Sequence, residues 1–157
     1  MEVNVSEQHW VQQPPPVITG NIWTWQLEST DQLPAVRAEL RGLLSLVSRL
    51  EPVSDIEFEE KFLLAFDELA SNALRHGGRP VRARVSFGSE GLLVEVSDSA
   101  ATSPPTPAVG RDPSQGGLGL GLVAALASAH GWVTQAERKL VWAFCRRMAP
   151  RRRGAFG

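Results

Sequence analysis

The chain has 157 residues, of which 43% are hydrophobic and 21% are charged, and its formal net charge is -1. This length and composition fit one globular domain, because two domains would each be too small to bury a sizeable core. The near-neutral charge argues against generic nucleic-acid binding, for which a basic excess is typical. The single cysteine, Cys145, excludes an internal disulfide bond and fits a reducing compartment.

The first 19 residues are polar and include three consecutive prolines, Pro14 to Pro16. Such a composition gains little from burial, so residues 1–19 are predicted to form a disordered N-terminal arm. The folded domain is predicted to span residues 20–148, and residues 149–157 to form a basic C-terminal tail. Neither a signal peptide nor a membrane span is expected, which predicts a cytoplasmic protein.

A strand and two helices are predicted next. Residues 23–27 alternate between apolar and polar side chains, which is the period of a half-buried strand. Residues 34–50 have apolar side chains at helical spacing, and Pro34 is tolerated in the first turn. A second, longer helix is predicted to begin at the capping-box sequence of residues 54–57 and to run to His76.

The second helix carries polar groups where an ordinary core helix has none. Its apolar stripe consists of Phe62, Leu63, Phe66, Leu69, Ala70, Ala73 and Leu74. Glu68, Asn72 and His76 recur every four residues along the adjoining edge. A carboxylate suits proton abstraction, and an amide oxygen suits a hard cation such as Mg²⁺. The competing interpretation is a solvated helix edge that is closed by a glycine C-cap.

A hairpin is predicted after this helix. Residues 81–87 alternate between apolar and polar side chains, and Arg82 and Arg84 fall on the solvent face. A Gly-Ser-Glu-Gly turn then leads into the apolar strand of residues 92–98. This strand ends at Asp98, which either contacts a ligand or forms a turn.

Residues 99–115 contain four prolines and almost no apolar side chains, so a long irregular loop is predicted. Gly117, Gly119 and Gly121 follow, at the start of an apolar helix that is predicted to end at Gly131. Backbone N–H groups at such a helix start can approach an anion closely, which favours a phosphate site. The alternative is a flexible loop with a tightly packed helix start.

Other motifs for nucleotides, metals and covalent catalysis do not fit. Residues 119–124 match the dinucleotide fingerprint G-x-G-x-x-A, but that motif directly follows a strand, whereas a proline-rich loop precedes it here. The chain has no P-loop G-K-[ST], no Cys/His spacing for zinc and no nucleophile elbow. Residues 132–134 and 140–145 predict a closing hairpin.

The order of these motifs resembles that of the GHKL (Bergerat-fold) ATPase superfamily, especially the small single-domain anti-sigma-factor serine kinases of actinobacteria. Their N box, E-L-x-x-N-A-x-x-H-G, is matched by Glu68-Leu-Ala-Ser-Asn-Ala-Leu-Arg-His-Gly77. Residues 23–27 resemble their first strand and residues 140–144 their last, so the resemblance covers roughly residues 20–148. It implies an α+β fold, a two-layer sandwich in which three helices cover one face of a mixed, mostly antiparallel sheet.

The resemblance also implies that ATP and Mg²⁺ are the cofactors. Asn72 would bind the Mg²⁺ that bridges the triphosphate, and Asp98 would accept a hydrogen bond from the adenine amino group. The rest of the implied cofactor-binding set is the N-box His76 and the glycines Gly117, Gly119 and Gly121. Each role agrees with the chemistry of its residue type.

Glu68 would be the general base that takes a proton from a serine or threonine hydroxyl, or from water. The loop of residues 99–115 would correspond to the lid that folds over ATP. One motif departs from the family. Its G1 box is D-x-G-x-G, whereas this chain reads Asp98-Ser-Ala-Ala-Thr102 and lacks both glycines.

Two classes of function remain open. The first is an anti-sigma-factor-like serine/threonine protein kinase, which binds a sigma factor and phosphorylates an anti-anti-sigma protein of the STAS type. The second is a non-catalytic regulatory module that binds a partner and has weak or no nucleotide binding. A sensor histidine kinase is disfavoured, because residues 1–30 cannot hold a helical hairpin with a phospho-acceptor histidine. No nucleic-acid or membrane partner is expected, and a homodimer is expected from the resemblance.

Overall fold

The computed structural model describes residues 10–50, 56–105 and 118–147. In chain order, its elements are strand β1 (Gly20–Leu27), helices α1 (Leu33–Leu50) and α2 (Ile56–His76), strands β2 (Val81–Gly88) and β3 (Gly91–Asp98), helix α3 (Leu118–Leu126), and strands β4 (Ala129–Gln135) and β5 (Arg138–Arg146). Every predicted helix and strand is present. The capping box predicted at residues 54–57 lies partly outside the described residues, and the tail of residues 149–157 lies wholly outside them. None of the described helices is long and apolar enough to cross a membrane.

The five strands form one sheet in the order β1-β2-β3-β5-β4, and each neighbouring pair is antiparallel. At the β4 edge, Gln12 adds a parallel bridge to Trp132. The prediction of a mixed, mostly antiparallel sheet is therefore confirmed. Because β3 lies between β2 and β5, the end of β3 with Asp98 is flanked on one side by Lys139.

All three helices contribute side chains to one core on one face of the sheet. Helix α2 buries the predicted stripe, namely Phe62, Leu63, Phe66, Leu69, Ala70 and Ala73, with Leu74 partly buried. Trp25 of β1 meets the edge of the Phe66 ring at a centroid distance of 5.6 Å. Burial of each large apolar side chain is worth about 1.5–3 kcal/mol, so this stripe fixes α2 on the sheet. The two-layer α+β sandwich is confirmed.

A capping box that was not predicted from the sequence fixes the start of α1. The N–H of Asp31 donates to Ser29 Oγ, and the N–H of Ser29 donates to Gln32 Oε1. A 3₁₀ turn over Thr30–Gln32 then continues directly into α1. Such a cap contributes on the order of 1 kcal/mol and keeps the connection between β1 and α1 short.

Residues 10–19 depart from the prediction of a disordered arm. Trp10 is buried, and its carbonyl accepts a hydrogen bond from Trp132 Nε1 at 3.2 Å. The carbonyl of Gln13 accepts one from Trp142 Nε1 at 2.8 Å. The indole N–H groups on β4 and β5 need acceptors when they are buried, and this extended segment provides them. Residues 1–9 lie outside the described residues.

Gly131 also departs from its prediction, because it lies within β4 and α3 already ends at Leu126. The reason is packing of residues 10–19 on β4. An ideal Cβ on Gly131 would lie 2.8 Å from Gln13 Cγ and 2.9 Å from the carbonyl oxygen of Val11. Glycine is needed here for close approach of the backbone, and not to end a helix.

Substituting Gly131→Ala is expected to lift residues 11–13 from β4 and to cost about 1–3 kcal/mol of stability, because the new methyl group overpacks this contact. Hydrogen exchange at the N–H groups of Gln13 and Trp132, which pair across the contact, should accelerate. The matched control is Gly42→Ala in α1, where a Cβ meets nothing within 4 Å. That change should instead stabilise the protein by about 0.5–1 kcal/mol. Unchanged exchange in the Gly131 variant would contradict the packing role.

Candidate functional site

Glu68, Asn72 and His76 lie along one edge of α2, as their spacing predicts. Glu68 and Asn72 are half-buried, and His76 is exposed at the last residue of the helix. Among the described residues, none forms a hydrogen bond with the Glu68 carboxylate or the Asn72 amide. A carboxylate and an amide therefore stand one helical turn apart, at the border between core and solvent.

The Glu68 carboxyl has a perturbed environment. Partial burial raises its pKa above the ordinary value of 4.5, the adjacent Asp67 charge raises it further, and Arg75 acts in the opposite direction. Asp67 itself forms an ion pair with Arg37 of α1 at 2.9 Å. A raised pKa makes a carboxylate a stronger base near neutral pH, provided that the group stays ionised.

The first turn of α3 lies against Glu68. An ideal Cβ on Gly119 would overlap Glu68 Oε2, whereas one on Gly121 would meet none of the described residues within 4 Å. Gly119 thus makes room for the carboxyl group. Both glycines belong to the first turn of a helix, whose N–H groups have no acceptor within the helix. Gly117 lies outside the described residues.

Asp98, at the end of β3, forms a buried ion pair that was not predicted. Its side chain is 1% exposed, and Oδ2 lies 3.6 Å from Lys139 Nζ. The other oxygen, Oδ1, accepts a hydrogen bond from the N–H of Ala100 at 2.7 Å. Lys139 is equally buried, and its ammonium group donates to the carbonyl of Ser103 at 2.9 Å. The carboxylate is closed to solvent and already bound by the chain's own groups.

The segment after Asp98 is held against the end of α2 and against β4. The N–H of Ser99 donates to the carbonyl of Gly78 at 2.8 Å, and Thr134 Oγ1 donates to the carbonyl of Ala101 at 3.3 Å. An ideal Cβ on Gly77 would lie 2.5 Å from Asp98 Oδ2. The last glycine of the N box therefore allows β3 to end close to α2. The remainder of the predicted lid, from residue 106 onward, lies outside the described residues.

Helix α2, strand β3 and helix α3 all lie within the part of the chain that matches a known protein family. The family model of the histidine kinase-like ATPase domain matches residues 28–144. The chain belongs to this family. The match runs from the start of the α1 cap to β5 and includes Glu68, Asn72, Asp98 and Gly119. Histidine kinase-like ATPase domains bind ATP, usually with Mg²⁺. No curated protein matches the chain significantly.

The described residues of this histidine kinase-like ATPase domain fit the phosphate and metal end of Mg-ATP. Asn72 offers an amide oxygen, and the first turn of α3 offers backbone N–H groups. Within the described ranges, no group of three His, Cys, Asp or Glu side chains could hold a metal ion. Mg²⁺ usually takes several of its ligands from phosphate and water, so a single amide oxygen from Asn72 is compatible with a Mg-ATP site.

The base end of the site fits less well. Asp98 would have to accept a hydrogen bond from adenine, but its carboxylate is buried and paired with Lys139. A carboxylate has spare lone pairs, so a further donor could bind only if the segment that covers Asp98 moved. At the N-box end, the polar groups of Glu68 and Asn72 have no hydrogen-bond partner among the described residues. At the adenine end, the Asp98 carboxylate is already paired with Lys139.

Lys139 is the residue of this region that was not predicted from the sequence. In the sequence, Lys139 simply precedes the apolar run of β5, and this position does not indicate a buried ion pair. Its partner Asp98 lies on another strand, and their pairing depends on the register of β3 against β5. A shift of that register by one residue would send the lysine side chain to the opposite face.

Proposed function

We propose that this histidine kinase-like ATPase domain is a cytoplasmic serine/threonine protein kinase of the anti-sigma-factor type. In this proposal it binds a sigma factor and phosphorylates an anti-anti-sigma protein of the STAS type. The observation that carries the proposal is the Glu68 carboxyl group, which stands one helical turn before Asn72 and packs against Gly119 at the start of α3. This contact brings the candidate base against the first turn of α3 and one helical turn from the candidate metal ligand, which supports a phosphoryl-transfer role.

Each group has a defined task in phosphoryl transfer. ATP supplies the γ-phosphoryl group, and Mg²⁺ neutralises charge on the triphosphate. Asn72 holds the metal without adding negative charge, and the first turn of α3 donates N–H groups to phosphate oxygens. Glu68 would accept the proton of the serine or threonine hydroxyl as its oxygen bonds to the γ-phosphorus and the bond between that phosphorus and ADP breaks. The partial burial of Glu68 supports this role, because it raises the basicity of the carboxylate.

A second candidate, a non-catalytic module that binds a regulatory partner, is favoured by the base end of the site. There the buried Asp98–Lys139 ion pair occupies the carboxylate that would recognise adenine. The sequence Asp98-Ser-Ala-Ala-Thr102 also lacks the two glycines of the family's G1 box. Both features favour weak nucleotide binding, and binding of a partner does not require the phosphoryl-transfer chemistry.

Calorimetry with ATP tests the nucleotide site directly. The wild-type protein is expected to bind ATP with micromolar or weaker affinity, and to require Mg²⁺. Asn72→Ala should lower the affinity for Mg-ATP by roughly 10- to 100-fold, because the metal loses its protein ligand. Asn21→Ala is the matched control, since this asparagine is exposed on the edge strand β1.

Two results would contradict the assignment of Asn72. One is an equal heat of ATP binding with and without Mg²⁺, and the other is an Asn72→Ala variant that binds as the wild type does. Complete absence of ATP binding in the wild type would favour the non-catalytic module. Transfer of the phosphoryl group to a STAS-type partner then separates the kinase from a protein that merely binds nucleotide.

A further inference from the structure

The sheet face opposite the helices is divided into two halves. One half is apolar and packs with the segment before β1, where Ile18 joins Leu93, Trp142 and Phe144 in a small cluster. The other half is polar and forms an open cleft of about 550 Å³. We call this the arginine cleft, because Arg82, Arg84 and Arg138 line it and Glu95 is the one acidic side chain that the described residues contribute to its lining.

The sheet brings the three arginines together from two strands, with Arg82 and Arg84 on β2 and Arg138 on β5. Arg82 of β2 stands opposite Ser97 of β3, and Arg138 of β5 donates to Ser97 Oγ at 3.1 Å. Arg138 also donates to the carbonyl of Pro80, so two contacts hold its guanidinium group in place. Arg82, by contrast, has no hydrogen-bond or ion-pair partner among the described residues. Two guanidinium groups, one of them fixed, therefore flank Ser97.

Charge in the cleft is unbalanced. The Arg84 Nε atom lies 3.9 Å from Glu95 Oε1, a long contact that pairs the one acidic side chain among the described lining residues with one arginine. The charges of Arg82 and Arg138 stay uncompensated within the lining. The chain as a whole carries a formal net charge of -1, so this positive patch is a local concentration and does not reflect the overall composition.

The wall of the cleft at the β4–β5 turn is strained. Ala136 and Glu137 have φ angles of 47° and 63°, in the left-handed region that non-glycine residues rarely adopt. Tight hairpin turns of this kind favour Asn-Gly or Gly-Gly, neither of which is present. Gln135 and Ala136 of this turn line the cleft. Backbone strain that the surrounding fold maintains is often found where a ligand binds.

We propose that the arginine cleft docks an extended, acidic segment of a partner protein. Arginine binds carboxylates through paired N–H donors, and a fixed guanidinium group loses little entropy in doing so. A second copy of this chain fits poorly, because a symmetric contact centred on the cleft would set arginines against arginines. A nucleic-acid strand also fits poorly, since it needs a longer run of cationic contacts than three arginines supply.

This docking site lies on the opposite face of the sheet from α2 and α3, so it does not depend on the proposed kinase chemistry. The test uses the full chain and a short fluorescein-labelled peptide of alternating Glu and Ser, compared with the same peptide in which Gln replaces Glu. Fluorescence anisotropy is expected to show binding of the acidic peptide that weakens as salt is raised. Arg82→Ala should weaken it by roughly tenfold or more.

Three further variants keep the test independent of folding defects. Gln26→Glu places a carboxylate opposite Arg82 in the β1–β2 register and should weaken peptide binding to a similar extent. Arg146→Ala, at an exposed position at the end of β5 outside the cleft, should bind as the wild type does. Asn72→Ala should also bind normally, which separates failure of this proposal from failure of the nucleotide site.

Three outcomes would overturn the proposal. The first is equal binding of the Glu and Gln peptides, and the second is an Arg82→Ala variant with unchanged affinity. The third is a labelled oligothymidylate that binds more tightly than the peptide and depends on Arg82, which would make the cleft a nucleic-acid site. Anisotropy measured with each probe under the same salt conditions distinguishes these results.

Discussion

Replacing Lys139 with methionine is expected to lower the free energy of unfolding by roughly 3–5 kcal/mol, as measured by urea denaturation. The substitution removes the ammonium group 3.6 Å from Asp98 Oδ2 and leaves the carboxylate buried without its partner charge. It also removes the donor to the carbonyl of Ser103. An isolated buried charge is far more costly than a missing salt bridge on the surface.

The double variant Asp98→Asn with Lys139→Met is the control for this expectation. The new carboxamide would keep an oxygen acceptor for the N–H of Ala100, and no unpaired charge would remain in the core. Replacing both members of a buried pair is often neutral, so most of the lost stability should return. If the double variant is as unstable as the single one, the ion pair is not the reason for the loss.

The Lys139→Met variant also tests whether Asp98 takes part in adenine recognition. If Lys139 competes with adenine for the Asp98 carboxylate, Lys139→Met should bind Mg-ATP more tightly than the wild type does, once it is measured under conditions where the variant is folded. If Asp98 has a purely structural role, the affinity should not change. Calorimetry with wild type and Lys139→Met therefore decides what Asp98 does at the base end of the site.

The second large effect concerns Glu68. Glu68→Gln is expected to keep the fold and Mg-ATP binding, because the amide has the shape of the carboxyl group, while phosphoryl transfer falls by roughly 10²–10⁴-fold. Radiolabel transfer from γ-labelled ATP to a STAS-type partner measures it. Undiminished transfer in the Gln variant would remove Glu68 from the catalytic role. A non-catalytic module would show no transfer with either protein.

The stability of Glu68→Gln can be predicted from the direction of the pKa shift. Burial raises the pKa of Glu68 above 4.5, so the folded state holds this proton more firmly than the unfolded state does. The wild type must then lose stability as pH rises from 4.5 through the raised pKa of the folded state. The Gln variant lacks this loss and should be at least as stable as the wild type at neutral pH.

Gly119→Ala is expected to displace the Glu68 carboxyl group without removing it. The new methyl group would overlap Glu68 Oε2, and the flexible Glu68 side chain can rotate away without disturbing the backbone. Phosphoryl transfer should therefore fall although the fold is kept. Gly121→Ala keeps the backbone N–H, and its Cβ meets none of the described residues within 4 Å, so it is the matched control on the same helix and should retain transfer. Loss of Mg-ATP binding in the Gly119 variant would instead indicate that the glycine itself serves the phosphates.

Helices α1 and α2 and strands β1 and β2 could be predicted because each has a regular apolar period. The buried stripe of α2 placed Glu68 and Asn72 on one edge, and the structure keeps them there. Such local patterns need only the spacing of neighbouring residues. The family's N box added the expectation of a nucleotide site, since it requires no knowledge of distant contacts.

The contacts that could not be predicted all join distant parts of the chain. Residues 10–19 have the composition of a polar, proline-rich arm, but indole donors more than 100 residues later bind their carbonyl groups. Gly131 was interpreted as a helix end for the same reason, because its close neighbours Val11 and Gln13 come from that arm. The pairing of Asp98 with Lys139 likewise depends on strand register, which a single sequence pattern does not specify.

The contacts of residues 10–13 have a consequence for protein synthesis. Trp10 and Gln13 leave the ribosome early, but their partners Trp132 and Trp142 follow 122 and 129 positions later. At about 5–20 residues per second, the nascent chain waits roughly ten seconds before these contacts can form. Contacts between such distant residues also slow folding, since a long loop must close first. A chain that stalls before β5 therefore lacks the partners that cover Leu93 and the acceptor carbonyl of Gln13, and it keeps apolar surface exposed for longer.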